Sequence, residues 1–414
     1  MFSYNVPIAL KEEIGKPELF IGRQKDMTWF LKWVDLVKDE LGNSQVILAR
    51  RRRGKTALVQ RLFNLIYHRN DPQLIPFYFR VPEGKTTLIR YADQFFRALI
   101  SQYFSFKRSE PTLLREALSY EKLCGLASDD AFILEYITDM QAAVDKNDAL
   151  GAWEYARNAG HSISATNDER IIQIIDEFQY LNEYIYMDEN FSVRNEIGTF
   201  YQHTASSKVS PQIITGSYIG WLKKIVDHMV GRYSKWYLDR LPAEEALACV
   251  YGYASILKRR VSDDTAGYIA EACDRDPYYI AAVFRSSYPE TDLTSRQVIR
   301  EILAYETDRN GDIAAMWLDY TGKAFGEVNE VNAKRLVLYL AAFDEQERTR
   351  DQIKQDLQLD MSDAELEKKL RWLAYADIIG QGQSNFRYKG LGDPIFSMVF
   401  RKIYAEEIGK VTLG

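Results

Sequence analysis

The segment Ala49-Arg50-Arg51-Arg52-Arg53-Gly54-Lys55-Thr56 constrains the chain more than any other. It has the spacing GxxxxGK[ST], with alanine at the first position. Before it, Gln45-Val46-Ile47-Leu48 reads as a short buried strand. After it, Leu58, Leu62, Leu65 and Ile66 recur at helical spacing, which predicts a helix from about Lys55 to His68. A strand, a tight loop and a helix in this order form a phosphate cradle. The loop's N–H groups curl around the oxygens, and the helix N-terminus adds the positive end of its dipole. In such a cradle Gly54 permits close backbone approach, Lys55 bridges the β- and γ-phosphates, and Thr56 offers its hydroxyl to Mg2+. Arg53 and Ala57 complete the expected nucleotide contacts. Ala49 is tolerable where glycine is usual, provided its φ stays negative. Gly84-Lys85-Thr86 repeats the last three letters but follows Val81-Pro82-Glu83, without the upstream loop, and reads as chance.

A second motif complements the first. Ile171-Ile172-Gln173-Ile174-Ile175 is nearly continuous β-branched sequence, as in a parallel strand buried on both faces, and it runs into Asp176-Glu177-Phe178-Gln179. An apolar strand ending in two acids is the Walker B pattern. Asp176 would hold Mg2+, usually through water, and Glu177 would act as general base toward the attacking water. Alone, this motif reads equally as a strand end with solvated acids; downstream of a phosphate loop the catalytic reading prevails.

Short strands over Leu74 to Val81 and Gln212 to Thr215, alternating with helical patterns, predict an α/β fold with a parallel sheet. From Thr86 to about Arg157 the pattern is helical and reads as an insertion, and a helix is expected over Arg194 to Ala205. After Leu241-Pro242 the strand signals stop. The 414 residues suit about three domains. The expected division is an α/β domain over 1–241 with an insertion at about 86–157, a helical lid over 242–325 and a winged helix over 326–414. Three dispersed cysteines and four dispersed histidines exclude a disulfide framework and a cysteine zinc site. No run of 18 apolar residues or secretory leader is evident, so no membrane span and a cytoplasmic location are expected. A net charge of -6 argues against a polyanion binder by bulk charge.

The chain resembles the archaeal-type ATPases of the STAND clade, among the AAA+ relatives of P-loop NTPases. The resemblance rests on Phe20-Ile21-Gly22-Arg23, Arg51-Arg52-Arg53-Gly54-Lys55-Thr56, Ile175-Asp176-Glu177-Phe178-Gln179 and Ile214-Thr215-Gly216-Ser217. Gly231-Arg232, Asp276-Pro277-Tyr278-Tyr279-Ile280 and Gly392-Asp393-Pro394-Ile395-Phe396 extend it toward the C-terminus. It implies Mg2+-dependent binding and hydrolysis of ATP, coupled to a conformational switch, with regulatory or defence roles among relatives. It places Gly22 and Arg23 beside the adenine and ribose, Thr215 and Ser217 at a γ-phosphate sensor, and Arg232 as an arginine finger or sensor. It also implies a homo-oligomer and a protein effector as partners. DNA stays open: the expected recognition helix, Ser362 to Ala374, sets Asp363, Glu365 and Glu367 against Lys368, Lys369 and Arg371 rather than presenting a basic face.

Overall fold

The computed structural model describes residues 6–194, 201, 204–217, 219–325, 330–343 and 346–408. The helix expected over Arg194 to Ala205 falls largely outside them. Strands β1 (Ser44–Leu48), β2 (Leu74–Arg80), β3 (Thr86–Thr87), β4 (Arg170–Asp176), β5 (Ile185–Tyr186), β6 (Gln212–Gly216) and β7 (Tyr233–Tyr237) follow in chain order. Five of them form one parallel sheet in the order β2-β4-β6-β1-β7, while β3 and β5 pair separately. Every residue of β1, β4 and β6 is buried, which explains why their centres are apolar on both faces rather than alternating apolar with exposed polar residues. By contrast, β7 at the sheet edge exposes Ser234, Lys235 and Tyr237 and carries no apolar run to announce it. The fold is the expected α/β architecture around a parallel sheet.

Helices α1 (Gln24–Lys38) and α2 (Lys55–Arg69) precede the excursion, which consists of α3 (Leu88–Lys107), α4 (Tyr120–Leu126), α5 (Ala131–Asp145) and α6 (Ala149–Asn167). A short helix, α7 (Tyr180–Tyr184), follows β4. The excursion contributes to the sheet's own cover: Phe95 of α3 meets Phe77 and Phe79 of β2 edge-on at 5.2 and 5.1 Å. Gln102 of α3 also closes the free edge of β2. It accepts the Tyr78 N–H at 2.9 Å and donates to the Tyr78 carbonyl at 2.8 Å. An edge strand otherwise offers those groups to a foreign strand.

Besides Lys55, the α2 helix buries Gln60, Arg61 and Asn64, and these three bind the N-terminal arm. The N–H groups of Ala9 and Leu10 donate to Asn64 Oδ1 at 3.0 and 2.8 Å, and Glu13 N donates to Gln60 Oε1 at 2.9 Å. Arg61 and Glu12 form an ion pair at 2.6 Å, with both side chains at 0 % exposure. Burial lifts the Glu12 carboxyl above the ordinary range, and the donors on Asn64 and Arg61 offset part of that lift.

The chain divides into two compact units, one of Met1–Ser217 with Leu222–Leu238 and one of Tyr218–Trp221 with Asp239–Gly414. The expected lid and C-terminal portions both lie in the second. That unit begins with helices Ala243–Ile256, Asp263–Ala272, Pro277–Arg285, Arg296–Glu306, Asp312–Phe325 and Glu330–Phe343. There follow β8 (Arg348–Thr349), helices Arg350–Asp356 and Asp363–Tyr375, β9 (Gly380–Gln381), β10 (Arg387–Lys389) and helix Pro394–Ile408. The last three strands form an antiparallel sheet in the order β8-β10-β9, one strand more than the sequence pattern suggests. Two sequence landmarks meet here: the Tyr279 hydroxyl donates to Asp393 Oδ2 at 3.1 Å and accepts from Trp317 Nε1 at 2.9 Å. Tyr279 is therefore core. Among the described residues no helix is long and apolar enough to cross a membrane.

Removing one member of a buried ion pair leaves the other charge uncompensated, at a cost of about 3–5 kcal/mol. Glu12→Ala is expected to lower the unfolding free energy by about that amount, read from urea denaturation of the full chain. A loss below ~1 kcal/mol would show that the arm adds little to the stability of the first unit.

Candidate functional site

The parallel register delivers the motif residues to one edge. Leu48 lies opposite Gly216 on one side and Tyr237 on the other, and Ile175 lies opposite Ile214. The loop after β1, the acids at the end of β4 and the Thr-Gly-Ser turn at the end of β6 therefore face one crevice outside the carboxyl ends of the strands. Open α/β sheets bind ligands there.

The loop from Ala49 to Gly54 turns through two left-handed residues, Arg52 at φ 67° and Gly54 at φ 86°. A side chain at Arg52 is unfavourable in that region, whereas glycine at 54 is not. Ala49 keeps φ out of the left-handed region, so its Cβ is accommodated. Lys55 opens α2 and donates to the loop's own carbonyls, Ala49 O at 2.8 Å and Arg50 O at 2.9 Å. Its ammonium is thereby held at the centre of the loop, and phosphate oxygens are able to replace those carbonyls. Ala57 follows in the first turn of α2.

Asp176 is at 0 % exposure and is surrounded by donors. Its Oδ2 accepts from Thr56 Oγ1 at 2.8 Å and from the Tyr78 hydroxyl at 3.2 Å. Its Oδ1 accepts from Thr215 Oγ1 at 2.9 Å and from Glu177 N at 3.0 Å. Burial, then the neighbouring Glu177 charge, push its carboxyl upward, while the Thr56 and Thr215 hydroxyls and the Arg80 charge pull the other way. Glu177 adopts φ 56° and aims its carboxylate at the turn after β6. Gln179 Nε2 donates to Oε2 at 2.6 Å, Ser217 N donates to the same oxygen at 3.2 Å, and Ser217 Oγ donates to Oε1.

Arg23, expected beside the adenine and ribose, turns its guanidinium onto the chain's own backbone. It is only 4 % exposed, and its Nη2 donates to the Arg53 carbonyl at 2.8 Å. Asp26 lies 3.6 Å from Arg23 Nη1 and accepts from Trp236 Nε1 at 2.9 Å, and Trp236 stacks on Trp29 at 4.3 Å. Arg23 thus braces the loop from behind, next to Gly22 at φ 85°.

Arg232, expected as an arginine finger or sensor, lies toward the other end of the sheet. It precedes β7, whose first residue lies opposite Ser44 and whose last lies opposite Leu48. Four strand residues, about 13 Å of rise, separate that end from the loop. Arg232 is exposed and donates to Ser206 Oγ, so the chain's own fold does not bring it to Lys55 and Asp176. The second Gly-Lys-Thr is a turn leading into β3, with Lys85 Nζ 5.6 Å above the Tyr186 ring.

Thr56 and Asp176 supply hard oxygen donors in contact with one another, the chemistry that suits Mg2+. Among the described residues no group of three or more His, Cys, Asp and Glu is placed to hold a metal ion. The donor set therefore fits a cation that takes most of its shell from phosphate and water. Sequence reading missed Tyr78 and Gln60. The one available signal is the alternation of β2, where Phe77 and Phe79 share a face and Tyr78 points to the other.

No family model matches the sequence, and no curated protein matches it. Solved structures do. A Walker-type ATPase of Pyrococcus abyssi is 15% identical with a TM-score of 0.59, covering 97% of this chain and 100% of its own. The ORC2 protein of Aeropyrum pernix, in ADPNP–ADP complexes, is 10% identical with a TM-score of 0.50, covering 96% of this chain and 99% of its own. At these identities the likeness establishes the fold.

Thr215→Val keeps the shape of the residue but leaves a buried carboxylate oxygen one donor short. A hydrogen bond to a charged group is worth about 1.5–3 kcal/mol, and this loss in urea unfolding is the expected outcome. A neutral substitution would mean that Asp176 is not held by Thr215.

Proposed function

We propose that the chain is a Mg2+-dependent ATPase whose cycle drives a conformational switch. The observation that supports this is the convergence of Lys55, Thr56, Asp176, Glu177 and Ser217 at the carboxyl ends of β1, β4 and β6. Lys55 would exchange the Ala49 and Arg50 carbonyls for the β- and γ-phosphates, with Arg53, Gly54, Thr56 and Ala57 lining the cradle. Mg2+ held by Thr56 and, through water, by Asp176 would offset charge on the phosphate oxygens. Glu177 takes the water proton in this reading, after its carboxylate leaves Ser217 and Gln179. Adenine rather than guanine, and a regulatory or defence setting in the cytoplasm, rest on the STAND resemblance. Assembly of several copies rests on the same resemblance and is the one setting in which Arg232, exposed at the far sheet end, reaches a nucleotide, that of a neighbouring copy.

Within the second unit we read residues 242–325 as a lid and 326–414 as a winged helix. Its helix Asp363–Tyr375 favours a protein effector over DNA. Asp363 pairs with Lys354 at 2.7 Å and with Arg350 at 3.3 Å, and Glu367 pairs with Arg371 at 2.7 Å. Cations already matched by acids are poor phosphate contacts, and duplex binding depends on such contacts.

Steady-state ATP turnover with Mg2+ tests the reading. Glu177→Gln is expected to lower kcat by about 10²–10⁴-fold while retaining nucleotide binding. Duplex DNA is expected to leave the rate unchanged. Wild-type turnover no greater than that of Glu177→Gln would reduce the chain to a nucleotide-bound scaffold, and DNA stimulation would revive the alternative of an ATP-regulated DNA-binding protein.

A further inference from the structure

A line of hydrogen bonds connects the N-terminal arm to Asp176, and its direction is dictated by donor chemistry. The Glu13 N–H can only donate, so the Gln60 atom facing it at 2.9 Å is the carbonyl oxygen. The Gln60 NH2 then faces the Tyr78 hydroxyl at 3.1 Å and donates to it. With its oxygen accepting there, Tyr78 turns its single proton toward Asp176 Oδ2 at 3.2 Å. The three side chains beyond the arm are buried: Gln60 on α2, Tyr78 on β2, Asp176 on β4. The arm is fixed independently by Asn64 and by the Arg61–Glu12 pair, so the Glu13 N–H is presented at a fixed place.

We infer that Tyr78 is a positioning residue for the Asp176 carboxylate, and that the docked arm sets the direction of its hydroxyl through Gln60. The inference rests on the reading of Asp176 as the metal carboxylate. Thr56 and Tyr78 together fix Oδ2 on the side opposite the Thr215 and Glu177 donors, which pre-orients the carboxylate before a cation arrives. Were the arm to leave, the Gln60 amide would be free to reverse. Its carbonyl would then compete with Asp176 for the Tyr78 proton, and a remote docking event would weaken cation binding without touching the phosphate loop.

The experiment is fluorescence titration of the full chain with mant-ATP, without metal and at increasing Mg2+. Partners that orient metal ligands typically contribute 10–100-fold in metal affinity. Tyr78→Phe is expected to raise the half-saturating Mg2+ concentration about tenfold and leave the metal-free mant-ATP affinity unchanged. Gln60→Leu keeps every donor to Asp176 and leaves no carbonyl to compete for the Tyr78 proton, so it is expected to leave the midpoint near wild type and to cancel any shift caused by loss of the arm's donor. Glu13→Pro deletes the arm's donor at the second position of the Glu12–Gly15 turn, where a proline φ is admissible, and is also expected to raise the midpoint, whereas Glu13→Ala is not. Equal loss of metal-free and Mg2+-bound affinity in Tyr78→Phe would overturn the inference, because a merely structural residue behaves that way. If Tyr78→Phe does not fold, an unchanged midpoint in Glu13→Pro overturns the arm's control of Tyr78, and a Glu13→Pro shift that persists when Gln60→Leu is added overturns its passage through Gln60. A wild-type chain whose mant-ATP affinity ignores Mg2+ would instead sink the proposed function itself.

Discussion

The carboxylate of Asp176, buried at the end of β4, is the constraint around which the first unit is arranged. An ionised carboxylate out of water is unfavourable unless its lone pairs are met. Here four donors meet them, from the helix after the phosphate loop, from β2, from β6 and from the next residue of the chain. Three of the donors tie Asp176 to different elements, so the charge links β4 to β2, β6 and α2. Glu177 depends on the same centre. Its N–H serves Asp176 while its side chain reaches the turn after β6.

The parts of this site that are legible in the sequence are those whose chemistry is local. Gly54, Lys55 and Thr56 are contiguous because one short loop runs directly into α2, and Asp176-Glu177 end a largely apolar run, interrupted only by Gln173, because that strand is covered on both faces. The parts that are not legible are those whose partners lie far along the chain. Gln60, Arg61 and Asn64 read as the solvent face of an amphipathic helix, yet the arm covers them. Tyr78 is 98 residues from Asp176, and only the β2–β4 register brings the two together. The place of Arg232 is hidden for the complementary reason. A Gly-Arg pair carries no information about which end of the sheet it occupies, and the β1–β7 register sets it at the end away from the loop. Likewise β7 escapes notice because its exposed edge position admits Ser234 and Lys235, where a central strand would not.

Arg23 illustrates how a buried guanidinium can brace the backbone of a neighbouring loop. Its guanidinium has five fixed N–H donors, which suits a buried backbone carbonyl as well as it suits a ligand. The left-handed φ at Arg23 and the Asp26–Trp236–Trp29 support turn it inward onto Arg53 O. The loop is then braced on its outer side by Arg23 and on its inner side by Lys55. Lys55 on the Ala49 and Arg50 carbonyls and Arg23 on the Arg53 carbonyl hold the backbone on both sides of Arg52 with its unfavourable left-handed φ, and strain of that kind persists only where the surroundings over-determine the backbone.

The placement of Glu177 bears directly on how the proposed hydrolysis would be controlled. Both carboxylate oxygens are engaged by Ser217 and Gln179, and Gln179 is itself fully buried. A base held this way has little freedom to approach a water beside a γ-phosphate, and releasing it requires several charge-assisted hydrogen bonds to be exchanged together. Those bonds come from the Thr-Gly-Ser turn at the end of β6, and Gly216 there sits where a Cβ would come 2.0 Å from Gln179 Oε1. Side chain and turn are therefore packed as one piece. A shift of that turn on γ-phosphate contact would free the base and the turn together, so sensing and catalysis would share a single local rearrangement rather than needing a separate signal between them.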